Sequence, residues 1–384
     1  MFFNQNILLV LLVALLIRVL FWFVLPDLNF PDLQNYIDSG QDFFLFGEIK
    51  NHNVMPLYPI ITFILGDKSN IFLFGIIISV INVFMVYQIS YLLFKNQRVS
   101  YLAMIIWAVY PFSIFYSISG LTETIFVFFL ISFFYCIYKK RFLFAFIFAA
   151  MSVLIKPTLE PFFPIVIFLF SRIIFHENFF KSILCVIKYI LVYVLIMTPW
   201  WMHQYDKYGE FVRLNLGSGV VMYTGHNELN KQGLSSNDPV NGVIVDFRKF
   251  HKITNPIERD QALKDAAIKY ILSNPLQTFE TMGHKFLNFW KLWPNASQYD
   301  SILYILISVL SYGVMLLFSL FSFRFLKRDQ IIKFVPIFTL IAYMTLVHIL
   351  LIPSIRYRFP LEIFLTILAS ISINKILFSK HDKL

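Results

Sequence analysis

Apolar runs of eighteen or more residues recur along the chain, the first from Ile7 to Leu25. Each is long enough to cross a hydrocarbon core about 30 Å thick. Inside that core no water is present to satisfy backbone amides, so only helices and closed barrels can span it. Runs of this length are read as helices. Of the 384 residues, 58% are hydrophobic and only 14% charged, whereas a soluble domain carries about 25% charged residues. The expected fold is an all-α polytopic membrane protein.

Ten spans are expected, near residues 7–25, 70–94, 99–118, 121–138, 142–155, 158–174, 182–199, 301–323, 331–352 and 359–378. Residues 1–200 then form an N-terminal transmembrane module whose first outer loop covers 26–55. Residues 201–300 form an outer lobe between spans seven and eight, and 301–384 a C-terminal transmembrane module.

The short basic connections set the orientation. With a cytoplasmic N-terminus, the cytoplasmic segments hold fourteen Lys and Arg, and the short outer segments hold five: Lys50, Lys68, Lys156, Arg356 and Arg358. The positive-inside rule therefore puts both termini in the cytoplasm. The formal charge of +10 is spread over these connections and does not suggest nucleic acid. Cys136 and Cys185 sit inside apolar runs and offer neither a disulfide framework nor a metal cluster.

The segment "NFPDLQNYIDSGQDFF" follows the first span and, with Asp27, brings four aspartates to an outer helix end. Leu33, Tyr36, Ile37, Gly40 and Phe44 share one helical face, so a short amphipathic helix in the membrane interface is expected. Asp32, after Pro31, occupies a good N-cap position, while Asp38 and Asp42 face water. "MPLYP" re-enters the apolar sequence stiffly, "GLTE" puts Glu123 at a span end, "LIKPTLEP" does so for Lys156, and "SIRYRFP" for Arg356 and Arg358. An ionisable group near a span is a functional hypothesis by default, set against simple snorkelling to water.

His52, His203, His226, His251 and His284 are scattered without metal-ligand spacing. "GSG" at Gly217–Gly219 reads as a turn, and "NAS" at Asn295–Ser297 is a glycosylation sequon by pattern only. In the lobe, Ile257, Ala262, Ala266, Ile268 and Ile271 fall near helical spacing, and Asn274-Pro275 separates two helices. "FLNFWKLW" is aromatic enough to rest on the interface.

Taken in order, these pieces resemble the integral-membrane glycosyltransferases of the GT-C class, akin to protein O-mannosyltransferases and the lipid A aminoarabinose transferase. The resemblance rests on Asp32 and Tyr36, Pro56 to Pro59, Leu121 to Glu123, Lys156-Pro157, Thr198 to Trp201 before a large lobe, and Arg356 to Pro360. It departs from the pattern where Leu33 follows Asp32 and where His52 to Met55 replace a lysine before the proline pair.

The resemblance implies a bacterial plasma-membrane enzyme of the cell envelope. It would move a hexosyl or pentosyl group from a polyprenyl phosphate donor to a glycan, lipid or protein acceptor on the extracytoplasmic face. Asp32 would be the general base of an inverting displacement, and Tyr36, Tyr58, Glu123, Lys156, Arg356, Tyr357 and Arg358 would bind substrate. No cofactor is implied beyond the lipid-linked sugar donor as substrate, and no metal ligand is assigned. The alternatives are an O-antigen ligase or polymerase and a transporter or lipid flippase. Transporters commonly gather ionisable residues at the midplane, whereas here they collect at outer helix ends.

Overall fold

The computed structural model describes residues 5–25, 30–237, 242–295, 299 and 301–378. Asp27, Ala296 and Ser297 of the sequon, and the basic tail after Phe378 lie outside the described residues. The first span is α1 (Gln5–Val24). The first loop carries α2 (Pro31–Phe46) and α3 (Leu57–Leu65). Then come α4 (Lys68–Phe94), α5 (Gln97–Val109), α6 (Pro111–Ser117), α7 (Glu123–Tyr138), α8 (Phe142–Val153) and α9 (Phe162–Leu169, extended by a π turn to Ile174). The long α10 (Phe179–Tyr208) leads into the lobe, built on α11 (Ser218–Gly225), α12 (Pro256–Ser273) and α13 (Pro275–Trp290). The chain closes with α14 (Ile302–Ser308), α15 (Val314–Phe321), α16 (Arg328–Leu350) and α17 (Ile355–Phe378). The described residues form no strand, and the chain is a helical multi-pass membrane protein.

Every stretch expected to span is helical, yet length and composition give six helices able to cross a membrane, or seven with the bent pair α5–α6. The helices 123–138, 142–153 and 162–174 are apolar but shorter. The α5–α6 pair bends by 55° at Pro111, which has no N–H to carry the helix through. The seventh stretch is longer than expected: α10 continues through Pro199 to Tyr208. The sequence "GSG" is the start of α11 rather than an isolated turn.

Side-chain caps set where several helices begin. Asp67 accepts from Asn70 N–H (2.9 Å) ahead of α4, Asn178 from Lys181 N–H (2.9 Å) ahead of α10, and Asn255 from Ile257 N–H (2.9 Å) ahead of α12. The core lies where α17 and α7 are covered on all sides, with Phe134 and Phe364 in edge contact at 5.0 Å. By contrast, α1 and α10 leave Leu9, Leu16, Leu191 and Leu195 outside, as lipid-facing helices do.

Hydrocarbon solvent supplies little hydrophobic drive between helices, so polar contacts and close packing hold them. Arg18, fully buried in α1, is the clearest case. Its guanidinium donates to Ser79 Oγ and Ser113 Oγ (both 2.8 Å) and to the carbonyls of Ala14 (3.0 Å) and Ala108 (2.9 Å). It joins α1 to α4, α5 and α6.

Candidate active site

The first loop folds back as two short helices because α2 has a glycine where it meets α3. A Cβ on Gly40 would stand 2.3 Å from the Pro59 carbonyl oxygen, so no larger residue permits this approach. Leu33 packs into the core beside Gly120, whose left-handed φ of +66° and contact with the Leu33 methyl groups leave no room for a side chain. These two fits bring the N-terminus of α2 against the "GLTE" turn.

The sequence expectation for Asp32 needs correction here. The N-cap of α2 is Phe30, Pro31 takes the first helical position, and Asp32 lies one residue inside the first turn. It does not cap the helix. Its Oδ2 accepts a short hydrogen bond from Arg356 Nη1 across 324 positions of sequence.

Arg356, at the start of α17, also donates through Nε to Glu123 Oε1. The same carboxylate oxygen takes Lys156 Nζ at 2.5 Å. Four ionisable groups from four elements thus form one array running Asp32, Arg356, Glu123, Lys156. The Glu123 side chain is wholly buried, while Asp32 is 46% exposed. The array is therefore most open at Asp32 and closed around Glu123. Glu123 Oε2 is buried and has no hydrogen-bond partner among the described residues.

Aromatic residues wall the array. Tyr36 and Tyr58 meet edge-to-face at 5.0 Å, and Tyr58 donates to the Gly120 carbonyl at 2.7 Å. Burial, above all, pushes the Tyr36 phenol up to about 12, so near neutral pH it remains a neutral hydroxyl. Tyr357 lies under Lys156, whose ammonium is 5.7 Å from the ring centroid.

Arg358 does not join this array. It is fully buried on the next face of α17, where it donates to Glu362 Oε1 (2.8 Å) and to the carbonyls of Phe289 (3.0 Å) and Lys291 (2.6 Å). Its guanidinium also lies 3.5 Å from the centre of the Tyr312 ring. Two residues along a helix turn a side chain about 200° away, so Arg356 and Arg358 face different neighbours. Arg358 instead ties α17 to the end of α13 in the lobe.

Of the wet-face acids, Asp38 is exposed and accepts from Gln34 (2.8 Å), whereas Asp42 is only partly exposed and pairs with Lys50 (2.8 Å). Two groups escaped the sequence reading. His348 is stacked between Tyr357 (4.6 Å) and Phe289 (5.4 Å), linking the array to the lobe. Its one sequence signal is its place in the last turn before the "SIRYR" segment. Lys285, on α13, is completely buried, with His226 Nε2 at 3.1 Å from its ammonium. His226 in turn contacts the Leu350 carbonyl at 2.6 Å, so the lobe rests on the end of α16, a few residues before Arg356. Among the described residues no group of three or more His, Cys, Asp or Glu is placed to hold a metal ion.

No protein-family model matches the chain, and no curated protein sequence does. Solved structures do match. The crystal structure of the Archaeoglobus fulgidus oligosaccharyltransferase in the apo form superimposes with a TM-score of 0.58 at 15% identity, over 98% of this chain and 51% of that one. The chain thus shares its fold with that enzyme. The archaeal enzyme AglB from the same organism, in complex with an inhibitory peptide and a dolichol-phosphate, matches with a TM-score of 0.55 at 14% identity, over 97% and 50% of the two chains. The form tethered to an acceptor peptide gives 0.54 at 15% identity, over 97% and 50%. This chain spans about half the length of those enzymes.

Proposed function

We propose that this chain of GT-C fold transfers a hexosyl or pentosyl group from a polyprenyl phosphate to an acceptor at the lobe end of the bundle. The observation that carries the reading is the array itself: a half-exposed carboxylate and two cations held by one buried glutamate, at helix ends. The neighbours' complexes with dolichol-phosphate and with acceptor peptide support a lipid-borne donor and a separate acceptor. Arg18 gives no support to a transport pathway, because its guanidinium is engaged by serine hydroxyls and backbone carbonyls.

In the proposed reaction Asp32 takes the acceptor hydroxyl proton as its oxygen attacks the anomeric carbon. The carbon–phosphate-oxygen bond breaks on the opposite face, with inversion, and polyprenyl phosphate leaves as an anion. Arg356 and Lys156 stabilise the charge that develops on that phosphate. Glu123 orients both cations, and Tyr36, Tyr58 and Tyr357 shape the pocket. Arg356 is bonded to Asp32, so a donor phosphate that takes over the guanidinium frees the carboxylate to act as a base. The base would then be released only when its donor is present.

The test is donor binding. Replacing Arg356 with Gln should weaken binding of a polyprenyl phosphate sugar on the order of tenfold to a hundredfold, the range of one charge-assisted hydrogen bond. Donor affinity in a folded Arg356→Gln protein equal to that of the unmodified chain would remove the array from the reaction.

Sidedness is tested independently. The count of fourteen basic residues against five supports cytoplasmic termini and a lobe on the outer face of a bacterial plasma membrane. Alkaline phosphatase fused after Gly233 should be active, and the same reporter at Lys139 should be inactive. The reverse pattern would place the array on the cytoplasmic side and overturn transfer on the outer face.

A further inference from the structure

Two adjoining clefts, of about 260 and 250 Å³, lie in the lobe and share Leu216 and Asp260 as a common wall. The second is bounded on one side by Asn51, His52 and Asn53 of the first loop and on the other by Phe247, Phe250 and Arg259 of the lobe. We propose that this cleft binds an anionic saccharide, the acceptor of the transfer proposed above, on which this inference rests.

The cleft is built rather than incidental. Leu216 N–H donates to the His52 carbonyl at 2.8 Å, and the Asn215 amide donates to the Asn53 carbonyl at 2.5 Å. His52 Nδ1 shares a hydrogen bond with the Tyr208 hydroxyl at 2.6 Å. The first loop is thereby fixed to the lobe and to the end of α10. Burial first, then Lys207 and Arg259, hold the His52 imidazole below its ordinary range, so at neutral pH it is an uncharged hydrogen-bonding ring.

The charge balance of the lining sets the ligand class. Asp260 is its one acid, and that acid is already engaged: Oδ1 accepts from Gly219 N–H (2.7 Å) and Oδ2 pairs with Lys264 (2.7 Å). Arg259 is partly exposed and belongs to no ion pair among the described residues. A cation left unpaired in a polar cleft favours an anion, and its planar fork suits a carboxylate or phosphate oxygen pair. The amides of Asn51 and Asn53 supply donors and acceptors for hydroxyls, and Phe247 and Phe250 give an apolar floor. Carbohydrate bearing an acidic group matches all three features. The volumes fall just under the roughly 300 Å³ of the smallest drug-sized sites, so one cleft takes a sugar or two rather than a folded partner.

The position suits an acceptor. Asn53 precedes Tyr58 by five residues, and a fully extended stretch of that length reaches about 17 Å at most. A short chain lying in the cleft thus ends near the Tyr36–Tyr58 wall of the ionic array.

The experiment measures saccharide and donor binding separately on the full chain in nanodiscs. Ligand-observed NMR and titration would use tetragalacturonate as the acidic probe and maltotetraose as the neutral one. Tetragalacturonate should bind, maltotetraose should bind at least tenfold more weakly, and raised salt should weaken the first and spare the second. Arg259→Gln should cost the acidic probe tenfold or more, with melting temperature and polyprenyl phosphate binding unchanged. Asn53→Ala should weaken both probes. Equal binding of the two probes, no binding of either, or an Arg259→Gln protein that holds tetragalacturonate normally would overturn the cleft assignment. A chain that binds the acidic probe but no polyprenyl phosphate would keep the cleft and sink the transferase reading.

Discussion

Asp32→Asn is expected to fold, insert and bind polyprenyl phosphate sugar, yet to transfer the sugar more slowly by a factor on the order of 10² to 10⁴, the usual cost of losing a general base. Asparagine keeps the shape and the first-turn position but cannot accept a proton at working pH. The structure sharpens the comparison, because Asp32 is a partner of Arg356 rather than a helix cap. Were holding Arg356 its whole role, Asp32→Asn would change donor affinity and leave turnover of bound donor nearly intact. As the base, it would lose turnover while donor binding stays level or tightens, since the phosphate no longer competes with a carboxylate for the guanidinium. Asp38→Asn and Asp42→Asn, whose groups bond to Gln34 and Lys50, are the controls and should transfer normally. The assay is transfer from a synthetic donor in liposomes. Near-normal transfer by Asp32→Asn would reduce that residue to a tether.

The second large effect is on stability. Arg358→Gln should destabilise the chain by about 3–5 kcal/mol, because it strands the buried Glu362 carboxylate without its partner. The Phe289 and Lys291 carbonyls lose their donor as well, loosening α13 from α17. Replacing both charges, Arg358→Met with Glu362→Leu, should recover part of the loss, since no unpaired ion remains. The Tyr110 hydroxyl, which donates to Glu362 at 2.8 Å, would then be left unsatisfied at a cost of about 1–3 kcal/mol. Melting in detergent measures both variants. If Arg358→Gln keeps its stability and loses donor affinity, Arg358 binds substrate after all.

The two arginines show where sequence stops being informative. "SIRYR" places both at one helix end, and nothing in that string distinguishes them. Their roles separate because successive side chains on α17 face different neighbours: Asp32 and Glu123 for Arg356, Glu362 and the α13 carbonyls for Arg358. Asp32 makes the same point in reverse. Its favourable helix-start chemistry is legible in "FPDLQ", but Pro31 already occupies the first position and the carboxylate is drawn to a cation 324 residues away. His348 and Lys285 carried almost no signal, because a lone histidine or lysine acquires meaning only from what packs on it.

By itself, the sequence determined what each segment must be. Apolar runs dictate helices because hydrocarbon leaves backbone groups no other partner, and the Asn274-Pro275 break divides α12 from α13 because Pro275 has no N–H to donate into α12 and disfavours helical backbone at Asn274. Those are local constraints, enforced by each residue's own neighbours and solvent. The tertiary structure decided which charges meet. An ion pair depends on distances of a few ångströms between residues hundreds of positions apart, and such distances are set by how α2, α7 and α17 pack, through contacts such as Gly40 on Pro59 and Leu33 on Gly120.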